Sequence, residues 1–155
     1  MYEKSLVIIK PDGIPRRLVS EILSRFERAG FKLHAMKLIQ ATAESARKHY
    51  REHVDKPFYP SVEAYITEGP VLVFVLGGLG CISTIRKLVG ATMPSDAAPG
   101  TIRGDLAHQP KGDGALRNLI HASASPEEAE WETSVWFEAS ELVDYNLADD
   151  ELHGQ

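Results

Sequence analysis

One cysteine, Cys81, stands in the 155 residues, so no disulfide can form within the chain, and a lone thiol of this kind is expected to be a small buried hydrophobe without a chemical role. Long apolar runs are missing too. Val71 to Leu76 is the longest, six residues against the roughly 20 that a membrane-spanning helix needs. Positive charge is in deficit, 17 Lys and Arg against 22 Asp and Glu for a net charge of −5, which argues against a general nucleic-acid surface but leaves room for a local basic pocket. Met1 to Lys4 lead directly into a strand-like run, without the basic head, apolar stretch and small-residue cleavage site of an export signal, so a cytoplasmic location is expected.

Several catalytic signatures are absent as well. Gly77-Gly78-Leu79-Gly80 lacks the spacing and the lysine of a phosphate-cradling G-x-x-x-x-G-K-[ST] loop, and the catalytic-loop and D-F-G runs of protein kinases do not occur. Ser123 and Ser125 form no G-x-S-x-G elbow. His49 and His53, four apart, would share a face if helical, but no adjacent glutamate or third ligand accompanies them, so no metal site is assigned. Trp131 and Trp136 are expected to pack.

What is present is the composition of a globular protein, 43% hydrophobic and 25% charged, long enough for one domain spanning residues 1–155. Leu6 to Ile9 reads as a buried strand broken by Pro11-Asp12-Gly13. Leu18, Val19, Ile22, Leu23 and Phe26 recur at helical spacing, with Gly30 at the position of a left-handed cap. Phe31 to Ile39 alternates with one phase shift, a strand with a bulge, and Thr42 can cap the short helix that follows. Ser61 is expected to cap a helix carrying Val62, Tyr65 and Ile66, which Gly69-Pro70 stops.

Val71 to Leu76 is the third strand, and Ile82, Ile85, Leu88 and Val89 mark a helix ending at Gly90. Residues 91–116, with three prolines and four glycines, show no sustained period and read as a long functional loop. Asn118 to His121 is a short fourth strand, and Ser125-Pro126-Glu127-Glu128 is a capping box opening a helix whose buried stripe would be Ala129, Thr133, Trp136 and Phe137. The tail after Tyr145 is expected on the surface or frayed. This order predicts an α+β fold, a four-stranded antiparallel sheet of the split βαβ or ferredoxin-like kind with helices on one face.

His121, at a strand end just before that helix, has a side chain that is largely deprotonated near neutral pH and can attack through a ring nitrogen; a structural histidine is the alternative for the residue taken alone. Lys10, Arg86, Thr92 and Arg103 stand at element ends or in the long loop, the kind of cations and donors that phosphoryl transfer uses for positioning and charge stabilisation, although each is individually readable as a surface group. Glu132, one turn beyond Glu128, can orient the imidazole of His121, or be an ordinary exposed helix glutamate.

Lys10-Pro11-Asp12-Gly13, Gly69-Pro70-Val71, Pro99-Gly100-Thr101-Ile102-Arg103-Gly104-Asp105, Arg117-Asn118-Leu119-Ile120-His121 and Trp136-Phe137 through Glu141-Leu142-Val143-Asp144-Tyr145 together resemble nucleoside diphosphate kinases, over almost the whole chain. The resemblance implies a ferredoxin-like domain in a homo-oligomer, a tetramer or hexamer. It also implies a ping-pong reaction in which a nucleoside triphosphate phosphorylates His121 and a nucleoside diphosphate takes the phosphoryl group, with little regard for the base. By motif position Lys10, Tyr50, Arg86, Thr92, Arg103 and Asn118 would bind phosphates or sugar or support the histidine, Phe58 would stack on the base, and Ser123 and Glu132 would assist the nucleophile. Lys10 would serve catalysis as well as binding. Mg2+ would arrive bridging the phosphate oxygens, with no protein cage of its own. No nucleic acid or membrane partner is implied.

Two departures from the family pattern stand out. Where the family has serine, aspartate and serine after the residue that follows the histidine, this chain has Ser123-Ala124-Ser125, one carboxylate fewer; a few extra residues lie around Pro110-Lys111-Gly112-Asp113-Gly114. The ending after Tyr145 also differs. Activity is expected to survive. Two other readings remain: a catalytically impaired homologue that binds nucleotides for regulation, and a ferredoxin-like nucleic-acid-binding module, which would need aromatics on a basic sheet face.

Overall fold

The computed structural model describes residues 1–108 and 116–153. The extra residues expected around Pro110–Gly114 lie outside the described residues. Strands β1 (Tyr2–Ile9), β2 (Lys32–Gln40), β3 (Pro70–Leu79) and β4 (Ile120–Ala122) form one sheet in the order β2-β3-β1-β4, every neighbouring pair antiparallel. Helices α1 (Val19–Arg28), α2 (Ala43–His49), α3 (Tyr59–Thr67), α4 (Cys81–Val89), α5 (Ile102–Leu106), α6 (Pro126–Trp136) and α7 (Ala148–His153) complete it.

Helices cover both faces of the sheet, not one. Successive side chains of a strand point to opposite sides. Val7 and Ile9 meet Ile22, Phe26, Ile82 and Ile85 from α1 and α4, whereas Leu6 and Ile8 belong to a second cluster with Ala46, Ile66, Trp136 and Phe137 on the side of α2, α3 and α6. Ser5 to Ile9 are therefore fully buried, which is why β1 reads as an unbroken apolar run instead of an alternating one.

The expected bulge in β2 falls at His34, which drops out of register between Leu33 and Ala35. Val143 O accepts from His34 Nδ1 at 2.9 Å, so Nε2 carries the lone pair and accepts from the Tyr2 hydroxyl at 2.8 Å. The C-terminal segment is thereby tied to the edge strand. Gly30 ends the turn after α1 at φ 85°, and Thr42 caps α2 through the amide of Ser45, both as expected.

Several local expectations need correction. Helix α3 begins at Tyr59 with Pro60 in its first turn, so Ser61 is inside it, its hydroxyl donating to Phe58 O. The 91–116 loop contains helix α5, capped by Thr101, whose hydroxyl oxygen accepts from Gly104 N at 3.0 Å. Gly104 is pressed against the carbonyl oxygen of Ala98, where a Cβ would collide. Ser125 caps α6 through Glu128 N, but the Glu128 carboxylate accepts from Ala124 N at 3.2 Å, so half of the reciprocal box is displaced by one residue. The buried stripe of α6 is Ala129, Glu132 and Trp136, with a carboxylate in the place expected for Thr133. After Tyr145 the chain is mostly exposed but forms α7.

Candidate active site

Lys10 ends β1 and Asn118 precedes β4, its partner in the sheet. Lys10 Nζ donates to Asn118 Oδ1 at 2.6 Å, and Asn118 Nδ2 donates to Thr92 O at 3.2 Å. Between these two positions and His121 the backbone makes a sharp turn: Leu119, fully buried, has φ 69°. A left-handed conformation costs a leucine about 1–2 kcal/mol, so the surroundings must hold it. They do so from both sides. Leu119 N donates to the Tyr65 hydroxyl at 3.1 Å, that hydroxyl donates to Asp12 Oδ1 at 2.5 Å, and Leu119 O accepts from Lys10 N at 2.8 Å. Gly13 is glycine because a Cβ there would strike Ile9 and crowd Leu119.

On the far side of the turn His121 Nε2 lies 2.6 Å from Glu132 Oε2. Glu132 Oε1 accepts from the Ser123 hydroxyl at 2.6 Å, and Ser123 Oγ in turn accepts from Leu6 N at 3.0 Å. The carboxylate expected as an exposed helix residue or an imidazole partner is thus the latter, 5% exposed and turned inward. With Glu132 ionised, Nε2 carries the imidazole proton and Nδ1 is left with its lone pair.

The cations are close by. Arg103 is spent largely on the backbone: Nε donates to Asn118 O at 3.1 Å, Nη1 to Gly90 O at 3.0 Å and Nη2 to Ile120 O at 2.6 Å, which leaves two of its five N–H groups. Arg86 Nη1 reaches Ala122 O at 3.3 Å. Burial, then Lys10, Arg103 and Arg86, lowers the proton affinity of His121, and the imidazole is neutral at physiological pH despite the adjacent carboxylate. Burial and Arg103 bring the Lys10 ammonium down to about 7, opposed by Asp12. Burial raises the Glu132 carboxyl, with His49, Ser123 and Arg86 opposing.

An open cleft of about 450 Å³ is lined by Lys10, Tyr50, Phe58, Tyr65, Thr92 and Asn118, together with His53, Ser61, Val62 and Leu116. Phe58 stands at its rim, 51% exposed. His121 and Glu132 line a smaller hollow of about 130 Å³, and Tyr50 and His53 belong to both linings. The expected residues therefore divide into a binding half and a reactive half joined at Tyr50. Arg86 and Arg103 line neither and flank the reactive half through the main chain of β4.

His49, Trp136, Tyr65 and Asp12 belong to this constellation and were not expected in it. His49 ends α2 and His53 lies beyond it, so the two share no helix face. His49 is buried beside His121, ring centroids 4.5 Å apart, with Nε2 3.4 Å from Glu132 Oε2 and Nδ1 accepting from Trp136 Nε1 at 3.0 Å. His49, His121 and Glu132 offer ligand atoms within 4.8 Å of one another. The Trp136 contact disfavours a cation, because a neutral His49 that accepts at Nδ1 presents a proton at Nε2. No sequence spacing signals these contacts, which join residues as far apart as 49 and 136.

Comparisons with known proteins identify the family. A family model described as nucleoside diphosphate kinase matches residues 3–142. Curated nucleoside diphosphate kinases of Methanobrevibacter smithii and Thermus thermophilus are each 49% identical to this chain, covering 98% and 91% of it and 98% and 99% of their own length. Among solved structures, a transition-state mimic of the Borrelia burgdorferi nucleoside diphosphate kinase with bound vanadate and ADP superposes with a TM-score of 0.89 at 37% identity, over 98% of this chain and 96% of that one. The Halobacterium salinarum enzyme in complex with CDP gives 0.88 at 39% identity, with 98% of each chain covered.

Proposed function

This chain belongs to the nucleoside diphosphate kinase family, and we propose that its phosphotransferase reaction runs through Nδ1 of His121 in a single domain spanning residues 1–155. It transfers the terminal phosphoryl group of a nucleoside triphosphate to a nucleoside diphosphate by a ping-pong route. The observation that carries the atomic assignment is the Glu132 carboxylate 2.6 Å from His121 Nε2: the pair falls short of ordinary hydrogen-bond alignment, but the negative charge favours the ring proton on Nε2 and leaves the lone pair on Nδ1. Nδ1 attacks the γ-phosphorus while the bond to the β-phosphate bridging oxygen breaks, and the leaving diphosphate keeps that electron pair. The imidazolium charge that develops is countered by Glu132. Discharge to a second nucleotide is the same step reversed.

The cleft supports the binding roles. Phe58 at the rim offers a face to any base, and Lys10, Asn118 and Thr92 provide donors at its inner end, with Tyr50 at the junction with His121. Arg86 and Arg103 bring positive charge to the transferred phosphoryl group; Ser123 fixes Glu132. Among the described residues no carboxylate lines the cleft. That donor set suits Mg2+ carried in on the phosphates, where it neutralises charge on their oxygens, and does not suit a resident metal.

Exposed Met36 and Leu38 on the edge strand β2 support a homo-oligomer, a tetramer or hexamer. Among the described residues no helix is long and apolar enough to cross a membrane. A cytoplasmic site of action is part of the proposal, since that is where the nucleotide pools are. The test is the intact mass of the protein after brief incubation with Mg2+ and ATP at mildly alkaline pH, beside His121→Ala. One acid-labile phosphoryl group, absent from the variant and discharged by GDP, is expected. Nucleotide binding with no added mass would replace the proposal with a regulatory nucleotide-binding role.

A further inference from the structure

His49 makes two contacts whose chemistry fixes its protonation. Trp136 Nε1–H can only donate, so His49 Nδ1, 3.0 Å away, must accept, and the single proton of the neutral ring sits on Nε2. His49 and Trp136 are both buried, so water does not compete for either group. Among the described residues neither His49 Nε2 nor His121 Nε2 has a hydrogen-bond partner within ordinary geometry, and both face the same carboxylate oxygen, Glu132 Oε2, at 3.4 Å and 2.6 Å. The distance from His49 is long for a hydrogen bond. In a dry pocket an N–H dipole turned toward a carboxylate still favours the ionised form.

We propose that His49 is a positioning residue for phosphoryl transfer on His121: locked by Trp136, its Nε2–H holds Glu132 as a carboxylate and so keeps the His121 proton on Nε2, away from the attacking Nδ1. The proposal rests on His121 as nucleophile. Its logic is a choice of tautomer. Glu132 is buried, and burial favours its protonated form; a proton on His49 Nε2, 3.4 Å from Oε2, and the Ser123 hydroxyl on Oε1 both favour the carboxylate. A protonated Glu132 would turn its own proton toward His121 Nε2, 2.6 Å away, and the imidazole proton would then reside on Nδ1, where it blocks attack. His49 itself stays neutral, since burial, His121 and Lys10 all disfavour its charged form and outweigh Glu132.

The decisive comparison is His49→Phe against His49→Gln. Phenylalanine fills the ring's space without polar atoms, whereas glutamine can accept from Trp136 and donate to Glu132. His49→Phe should slow phosphorylation of His121 by ATP roughly tenfold, the effect of removing an N–H dipole from beside a buried carboxylate. The nucleotide KM should be kept, and His49→Gln should recover most of the rate. In the 15N spectrum the lone pair of His121 should move from Nδ1 toward Nε2 in His49→Phe and remain on Nδ1 in His49→Gln.

A packing role predicts the reverse order, with Phe tolerated better than Gln and the His121 nitrogens unmoved, and that result overturns the proposal. If His49→Phe does not fold, Trp136→Phe carries the same test: the His49 proton should distribute over both nitrogens and the phosphorylation rate should fall. An unchanged rate with a redistributed proton overturns it equally. Phosphorylation of the unaltered protein, run alongside, separates failure of this proposal from failure of His121 as nucleophile.

Discussion

His121 Nε2 and Glu132 Oε2 lie 2.6 Å apart although their residues come from a three-residue edge strand and from the helix after it. The carboxylate is placed to counter charge that exists on the imidazole only as the phosphorus bond forms. Glu132→Gln keeps the size and an accepting oxygen but removes the charge. Phosphoenzyme formation in that variant should slow about a hundredfold, within the range for a positioned acid–base partner, with little change in nucleotide affinity. Rapid-quench measurement of the phosphorylated protein checks this, and an equal loss of affinity would contradict the assigned role.

Ser123 connects that carboxylate to the sheet. Its oxygen accepts from Leu6 N and its proton goes to Glu132 Oε1, all of it buried. Ser123→Ala leaves a backbone N–H and a carboxylate oxygen unsatisfied, at roughly 1–3 kcal/mol for a buried group stripped of its partner. Denaturant unfolding should show that loss of stability, accompanied by slower phosphorylation. A variant as stable as the parent would mean that water replaces the hydroxyl.

Burial and Arg103 hold Lys10 down to about 7, below its ordinary 10.5. A phosphate group arriving beside it favours the ammonium, so at pH 8 binding of ADP should take up a proton. The uptake should vanish in Lys10→Met. Calorimetry in buffers of different ionisation enthalpy measures it directly. The same shift has a consequence for folding: between pH 7 and 10.5 the unfolded chain binds more protons at this lysine than the folded one, so the Lys10 contribution to stability rises with pH across that window. The difference in unfolding free energy between the parent and Lys10→Met should follow that slope in the absence of nucleotide.

Phe58, half-exposed at the cleft rim, has surface neighbours in Lys56 Nζ, 5.8 Å from its ring centroid, and the His53 ring at 5.7 Å. Phe58→Ala should therefore leave thermal stability nearly unchanged while raising KM for purine and pyrimidine nucleotides alike, by the roughly 1–3 kcal/mol of a lost stacking contact. Steady-state kinetics with ATP, GTP and CTP checks both the size and the lack of base preference. An effect confined to one base would point to a contact other than stacking.

The Ala124 departure from the family pattern has a local counterpart. Ala124 N, which precedes the cap of α6, donates to the Glu128 carboxylate, so a negative charge still closes this turn although residue 124 does not supply it.

Local chemistry was enough to read most of the secondary structure. A β-branched run, an apolar stripe at helical spacing, Gly30 as a left-handed cap and the Thr42 cap each depend on neighbours a few residues away, and each is found as expected; the bulge expected in β2 is present too, just before the phase shift from Ala35 to Met36. Short helices in loop-like sequence escaped this, because α5 is held by Thr101 and by the packing of Gly104 on Ala98, not by any periodic stripe. The second covered face of the sheet was hidden for a related reason: a strand buried on both sides and a short apolar strand look alike in one dimension.

Residue type and order alone determined that a histidine, a carboxylate and several cations were available in a protein otherwise short of positive charge. The motif resemblance named the residues of the cleft. Only the tertiary structure decided that Nε2 is the nitrogen of His121 beside Glu132, that Arg103 is committed mainly to main-chain carbonyls, and that His49 and Trp136 stand behind Glu132. Those facts depend on distances of a few ångströms between groups tens of residues apart, set by the closure of α2 and α6 over one face of the sheet, and no spacing along the chain encodes them.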